Sequence, residues 1–191
     1  MKKLIIGISG ASGAMLGARM LKVLGEMPEV ETHLVISDNA LLTIEQEMNT
    51  DPQTIKSLAD VCYDINDLAA DISSGSFKTD GMIVIPCSMK TLAGIANGYS
   101  ENLLLRAADV TIKEGRKLVV VPREAPFSRI HLKNMLELSE CGASIVPPVM
   151  TFYSGQENAE EMADHIIGKI LDQFGIESDG FRRWKEITEK G

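Results

Sequence analysis

Residues that hold metals or form cross-links are scarce in this chain. Its three cysteines, Cys62, Cys87 and Cys141, are odd in number and show no CxxC spacing, which argues against a disulfide framework and a zinc site. The three histidines, His33, His131 and His165, do not combine with carboxylates in any metal-ligand spacing, so no metal is expected. No apolar run approaches the roughly 18 residues of a membrane span. The opening Met1-Lys2-Lys3-Leu4-Ile5-Ile6 mimics an export signal, but Gly7, Ser9 and Gly10 break the run. A first strand in a cytoplasmic protein is the expectation. Positive charge is also short: the net charge is −8, which disfavours nucleic acid as a partner.

What is present describes an ordinary globular chain. At 191 residues, 45% hydrophobic and 24% charged, it has enough apolar side chains for one full core. A single domain over 1–175 is expected. A charged tail over 176–191, anchored by Trp184, should pack on the site or on a neighbouring subunit. The charge is unevenly spread. From Arg106 to Lys133 seven cations face only Asp109, Glu114 and Glu124, a local +4 that leaves −12 for the rest. Such a patch suits a small anionic ligand, or is simply a solvated basic face.

Short apolar runs alternate with amphipathic segments along the whole chain. Strands are predicted at Leu4–Ile8, Thr32–Ile36, Met82–Ile85, Leu118–Val121 and Ser144–Val146. Helices are predicted at Ala14–Leu24, Asn39–Glu47, Met89–Ala96, Glu101–Glu114, Arg129–Cys141 and Ala159–Phe174. The last carries Met162, Ala163, Ile166, Ile167, Ile170, Leu171 and Phe174 as one stripe. Five such units imply a doubly wound, Rossmann-like or flavodoxin-like parallel sheet sandwiched by helices. Residues 49–78 are polar and irregular and read as an insertion, reaching over a site or a neighbouring subunit.

In such a sheet ligands bind at the carboxyl ends of the strands. The first strand feeds Gly10-Ala11-Ser12-Gly13, whose glycines let backbone N–H groups and a helix N-terminus approach a phosphate. The loop is not GxGxxG and no Gly-Lys-Ser/Thr follows, so it is no P-loop. The second strand ends at Ser37, with Glu47 one helix further on. The third delivers Ser88-Met89-Lys90-Thr91, a donor-rich helix start. Adjacent Cys87 has no identifiable base and reads as a buried thiol. The fourth ends in Pro122-Arg123-Glu124, a phosphate clamp beside an acid/base or else a salt-bridged turn. Arg106 and Lys113, seven residues apart, share a helix face. After the fifth strand come Tyr153 and then Lys169.

Gly10-Ala11-Ser12-Gly13, Ser73-Ser74-Gly75-Ser76-Phe77, Pro86-Cys87-Ser88-Met89-Lys90-Thr91-Leu92, Arg106-Ala107-Ala108-Asp109, Val121-Pro122-Arg123-Glu124 and Leu171-Asp172-Gln173-Phe174 together resemble the UbiX/Pad family of flavin prenyltransferases. The resemblance spans nearly the whole chain, in order. It implies metal-independent transfer of a dimethylallyl group from dimethylallyl phosphate to N5 and C6 of reduced FMN. The product, prenylated FMN, would serve a UbiD-type aromatic acid decarboxylase. A homo-oligomer, commonly a dodecamer, is implied as well.

Carried over residue by residue, the FMN contacts fall on Gly10, Ala11, Ser12, Ser37, Ser88, Met89, Lys90, Thr91 and Arg123. The prenyl-phosphate contacts fall on Tyr153 and Lys169, with Arg106, Lys113, Arg123 and Glu124 in the same pocket. Glu47 and Trp184 border it, with contributions from neighbouring subunits expected. Glu124, Ser12 and Glu47 are the candidate catalytic groups, and Glu124 is the expected proton handler. Two positions depart from the family pattern: Asp38, where relatives usually carry a basic residue, and Lys169, where many carry arginine. The fixed cations would stabilise charge developing on the departing phosphate.

Two other readings share the fold. A phosphopantothenoylcysteine-type flavin decarboxylase needs an early catalytic histidine, and His33 falls inside a strand. A non-catalytic FMN-binding subunit of a decarboxylase needs only the rim.

Overall fold

The short apolar runs become strands buried on both faces, which requires helices on each side of the sheet. The computed structural model describes residues 1–153, 155–181 and 183. Strands β1 (Lys2–Ile8), β2 (Val30–Ile36), β3 (Val61–Tyr63), β4 (Gly81–Cys87), β5 (Lys117–Pro122) and β6 (Ser144–Ile145) form one sheet. Every pairing is parallel, and the order is β3-β2-β1-β4-β5-β6. That is the Rossmann order, with its reversal between β1 and β4.

The connecting helices are α1 (Ala14–Gly25), α2 (Asp38–Met48), α3 (Pro52–Lys56), α4 (Met89–Ala96), α5 (Leu103–Lys113) and α6 (Arg129–Glu140). Side chains alternate along each strand. Ile5, Val35, Met82, Val84, Leu118 and Val120 join Leu92, Leu104, Ala108 and Leu138 of α4, α5 and α6 in one core. Ile8, of opposite parity, meets α1 at Gly17, and α1 packs on α2.

Residues 49–78 are not an insertion. They supply α3, the edge strand β3 and a 3-10 turn at Asp71–Ser73, and Ile65, Ala70 and Ile72 enter the core. Three isolated apolar residues at irregular spacing carry no period, which is why the pattern was silent. The following strip, 73–77, is fastened by cations. Arg116 donates to the carbonyls of Gly75 (2.6 Å) and Phe77 (2.8 Å). Arg106 Nε donates to Ser73 O at 3.1 Å.

Met1–Pro147 form one compact unit, and the described residues from Pro148 onward form a second. The second is built on α7 (Ala159–Asp172), which buries Ala163, Ile166, Ile167, Ile170 and Leu171 of the predicted stripe. Asn158 caps it, accepting from the Glu161 amide at 3.0 Å. The chain then folds back so that Phe181 lies against Gly168, where any Cβ would collide with the Phe181 side chain. Among the described residues no helix is long and apolar enough to cross a membrane.

Candidate active site

At the reversal between β1 and β4 the two strand ends diverge into loops, and there the polar residues gather. Ser9, buried, ties the loops together. Its hydroxyl donates to Pro86 O at 3.0 Å and accepts from the Ser88 amide at 2.7 Å. Sequence reasoning did not single out Ser9, although its place at the end of the first strand could have marked it.

The loop 10–13 lies close against the start of α2. A Cβ on Gly10 would stand 2.5 Å from Asn39 Cβ, so only glycine fits there. Gly13 has no side chain with which to cap α1, and Glu47 from α2 caps it instead. The Glu47 carboxylate accepts from the Gly13 amide at 2.9 Å and the Ala14 amide at 3.1 Å. Its burial would raise its pKa, but the Ser12 hydroxyl, these two amides and the Arg123 charge outweigh that and hold it below the usual carboxylate range. The expected phosphate cradle at the first turn of α1 is thus occupied by a carboxylate from the protein itself. An anion finds those two N–H groups already taken.

Arg123 comes from the end of β5 and reaches past β4, its Nε donating to Ser12 O at 3.1 Å. Arg123 N in turn donates to Cys87 O at 3.1 Å. One guanidinium therefore spans the rim from β5 to the β1 loop. Glu124 beside it is exposed, with Oε1 accepting from the Ala125 amide at 3.0 Å. Ser88 caps α4, its Oγ accepting from the Thr91 amide at 3.2 Å and donating to Thr91 Oγ1 at 3.1 Å. Ser37 occupies the N-cap position of α2 but makes no side-chain cap bond. Asp38 opens that helix, where an acidic side chain suits the positive end of the dipole.

The structure therefore brings Gly10, Ala11, Ser12, Ser37, Glu47, Ser88, Met89, Lys90, Thr91, Arg123 and Glu124 to the carboxyl ends of β1, β2, β4 and β5. Lys113 stands apart from these. It is the last residue of α5, four residues before β5 begins, and so sits at the opposite edge of the sheet, paired with Glu114. Arg106 is engaged through Nη1 and Nε. It bonds Asp109 at 2.7 Å as well as Ser73 O. Two of the seven cations in the basic patch, Arg106 and Arg116, thus hold the strip 73–79 in place: helical spacing shows which residues share a face, not which carbonyls that face meets. Tyr153 and Lys169 belong to the second unit, both exposed. There the Tyr153 ring meets the edge of buried His165. Trp184 lies outside the described residues. Cys87 is fully buried, and burial drives its thiol pKa far up, which removes it as a nucleophile. Among the described residues no three His, Cys, Asp or Glu side chains gather as a metal site.

The rim fits a flavin mononucleotide by its donor set: the side-chain-free Gly10, the Ser37 hydroxyl without a cap bond, the Ser88–Thr91 helix start and the Arg123 cation. A Rossmann-ordered sheet with such a rim at its reversal point defines a nucleotide-binding flavoprotein, and the family profile for flavoproteins matches residues 1–174. A protein of Sedimentibacter hydroxybenzoicus described as a probable UbiX-like flavin prenyltransferase is 60% identical over 183 residues, covering 96% of this chain and 97% of that one. This chain belongs to the UbiX-like flavin prenyltransferase family. Among solved structures, a dodecameric FMN-dependent UbiX-like decarboxylase from Escherichia coli O157:H7 is 56% identical with a TM-score of 0.94, covering 95% of this chain and 98% of that one. A UbiX protein crystallised with FMN and dimethylallyl pyrophosphate is 48% identical with a TM-score of 0.93, covering 96% and 97%.

Proposed function

We propose that this protein transfers the dimethylallyl group of dimethylallyl phosphate to N5 and C6 of reduced FMN, and passes prenylated FMN to a UbiD-type aromatic acid decarboxylase. The observation that carries the reading is the rim itself: glycine loop, Ser88–Thr91 helix start and Arg123–Glu124 converge on one strand reversal, in a chain 60% identical to a named relative.

When bound, the reduced flavin supplies the nucleophile. The chain's residues do the rest. Gly10, Ala11, Ser12, Ser37, Ser88, Met89, Lys90, Thr91 and Arg123 hold and orient it. Arg123, Tyr153 and Lys169 stabilise charge on the departing phosphate, a task that fixed cations perform without reorganising. Glu124, with Ser12 nearby, accepts the proton released as the second bond forms. Glu47 holds Ser12 and the loop. Lys113 can serve only the rim of a neighbouring copy, in a homo-oligomer of the kind seen in the dodecameric relative.

Purified protein incubated anaerobically with reduced FMN and dimethylallyl phosphate tests the reading. Gain of one prenyl unit on the flavin, undiminished by EDTA, is the expected result. Unaltered FMN would favour a flavin-binding subunit, and loss of carbon dioxide from an aromatic acid by the protein alone would favour a decarboxylase.

A further inference from the structure

Around Lys169 the second unit holds a small charge cluster that no role so far explains. Lys169 and Arg183 both lie against the Phe181 ring, Lys169 Nζ 5.8 Å and Arg183 Cζ 5.3 Å from its centroid. Both also face the same carboxylate. Arg183 donates to Asp172 Oδ1 at 2.7 Å, whereas Lys169 Nζ stands 3.8 Å from Asp172 Oδ2, beyond hydrogen-bond distance. The two cations are unequal partners: Arg183 holds the carboxylate and Lys169 does not.

We propose that Arg183 is a positioning residue for Lys169: by engaging Asp172 it leaves the Lys169 ammonium available to the phosphoryl group of the prenyl donor. This rests on the reading of Lys169 as a prenyl-phosphate contact. Asp172 lies three residues after Lys169 on α7, within easy reach of its side chain. Without Arg183 the nearest opposite charge to Lys169 would be Asp172, and an ammonium bonded there is a poorer anion receptor. An arginine at 169 could hold a carboxylate and a phosphate on two sides of its planar fork, but a lysine concentrates its charge on one nitrogen. A lysine at this position therefore needs a second cation to occupy the carboxylate. Asp172 is held below the usual carboxylate range, first by the Arg183 hydrogen bond, so it stays ionised and must be matched. The Phe181 ring, seated on Gly168, fixes where both cations lie.

The test is a charge-removal rescue in the full-length protein, reading KM for dimethylallyl phosphate and kcat separately. Arg183→Gln should raise KM about tenfold and lower kcat as well, because the Lys169 ammonium drawn to Asp172 no longer binds the phosphate or stabilises the charge developing on it. Adding Asp172→Asn to it should return KM to within about threefold of the parent, because the competing carboxylate is gone. Asp172→Asn alone should leave KM at or below the parent value. An unchanged KM in Arg183→Gln overturns the proposal. So does a double variant no better than Arg183→Gln, which is the result expected if Arg183 only clamps the chain end to α7. Should Arg183→Gln fold poorly, a raised KM in Asp172→Asn alone also overturns it. Lys169→Gln separates the two levels. An unchanged KM there removes the phosphate role of Lys169 and this inference with it. A raised KM there, with Arg183→Gln unchanged, overturns this inference alone.

Discussion

The carboxylate of Glu47 caps a helix to which it does not belong: it accepts from the Gly13 amide at 2.9 Å and so closes the N-terminus of α1 from the neighbouring α2. Glu47→Gln keeps the size and loses the charge. At neutral pH it should lower stability by about 1 kcal/mol, the usual worth of a surface cap. The pKa of Glu47 is depressed in the folded protein, so its contribution is complete above the ordinary value of 4.5 and disappears as pH falls through the lower folded value. Thermal melts of the two proteins should therefore differ at pH 7 and converge on acidification. A difference that grows as the pH drops would contradict the cap.

Glu124 stands exposed at the end of β5 beside the cation that spans the rim. Glu124→Gln should still bind FMN but slow proton removal by about 100-fold, a typical share for one general base. The flavin should then gain the prenyl mass before it gains the absorbance of the ring-closed product. Finished product at the parental rate would dismiss Glu124 as the base.

Arg116→Ala removes the guanidinium that bonds Gly75 O and Phe77 O. Loss of two charge-assisted bonds on a half-buried strip should cost about 2 kcal/mol. Hydrogen exchange should quicken over residues 73–79 while FMN affinity holds. Equal protection of the strip in both proteins would show that Arg116 is not its fastener.

Cys141 is exposed and Cys87 fully buried. Brief iodoacetamide treatment of the native protein should label Cys141 and leave Cys87 unmodified until denaturant is added. Prenyl transfer should survive the native labelling. Early modification of Cys87 would contradict its burial.

Much of the sheet is visible in the residues alone. Val119-Val120-Val121 and Met82 to Ile85 are continuous apolar runs bounded by proline, and a run of that length can hardly be anything but a strand covered on both faces. The stripe of α7 is equally plain because six of its residues, from Met162 to Leu171, keep one helical period. Edge strand β3 was hidden because Val61-Cys62-Tyr63 is short and half exposed, so it needs no continuous hydrophobic pattern. The motifs at the strand ends were legible as chemistry, but their partners were not. Nothing in the spacing says that Glu47 would reach Gly13 across 34 positions, or that Arg123 would reach Ser12 across 111.

The sequence by itself determined the alternation of strands and helices, the family and the residue types at the strand ends. Periodicity and local motifs are short-range properties, written in neighbouring residues. The tertiary structure decided which of those residues meet. It placed the reversal between β1 and β4, spent Arg106 and Arg116 on the strip 73–79, and carried Lys113 to the far edge. Those outcomes depend on strand order and helix direction, which bring together groups that no local pattern relates.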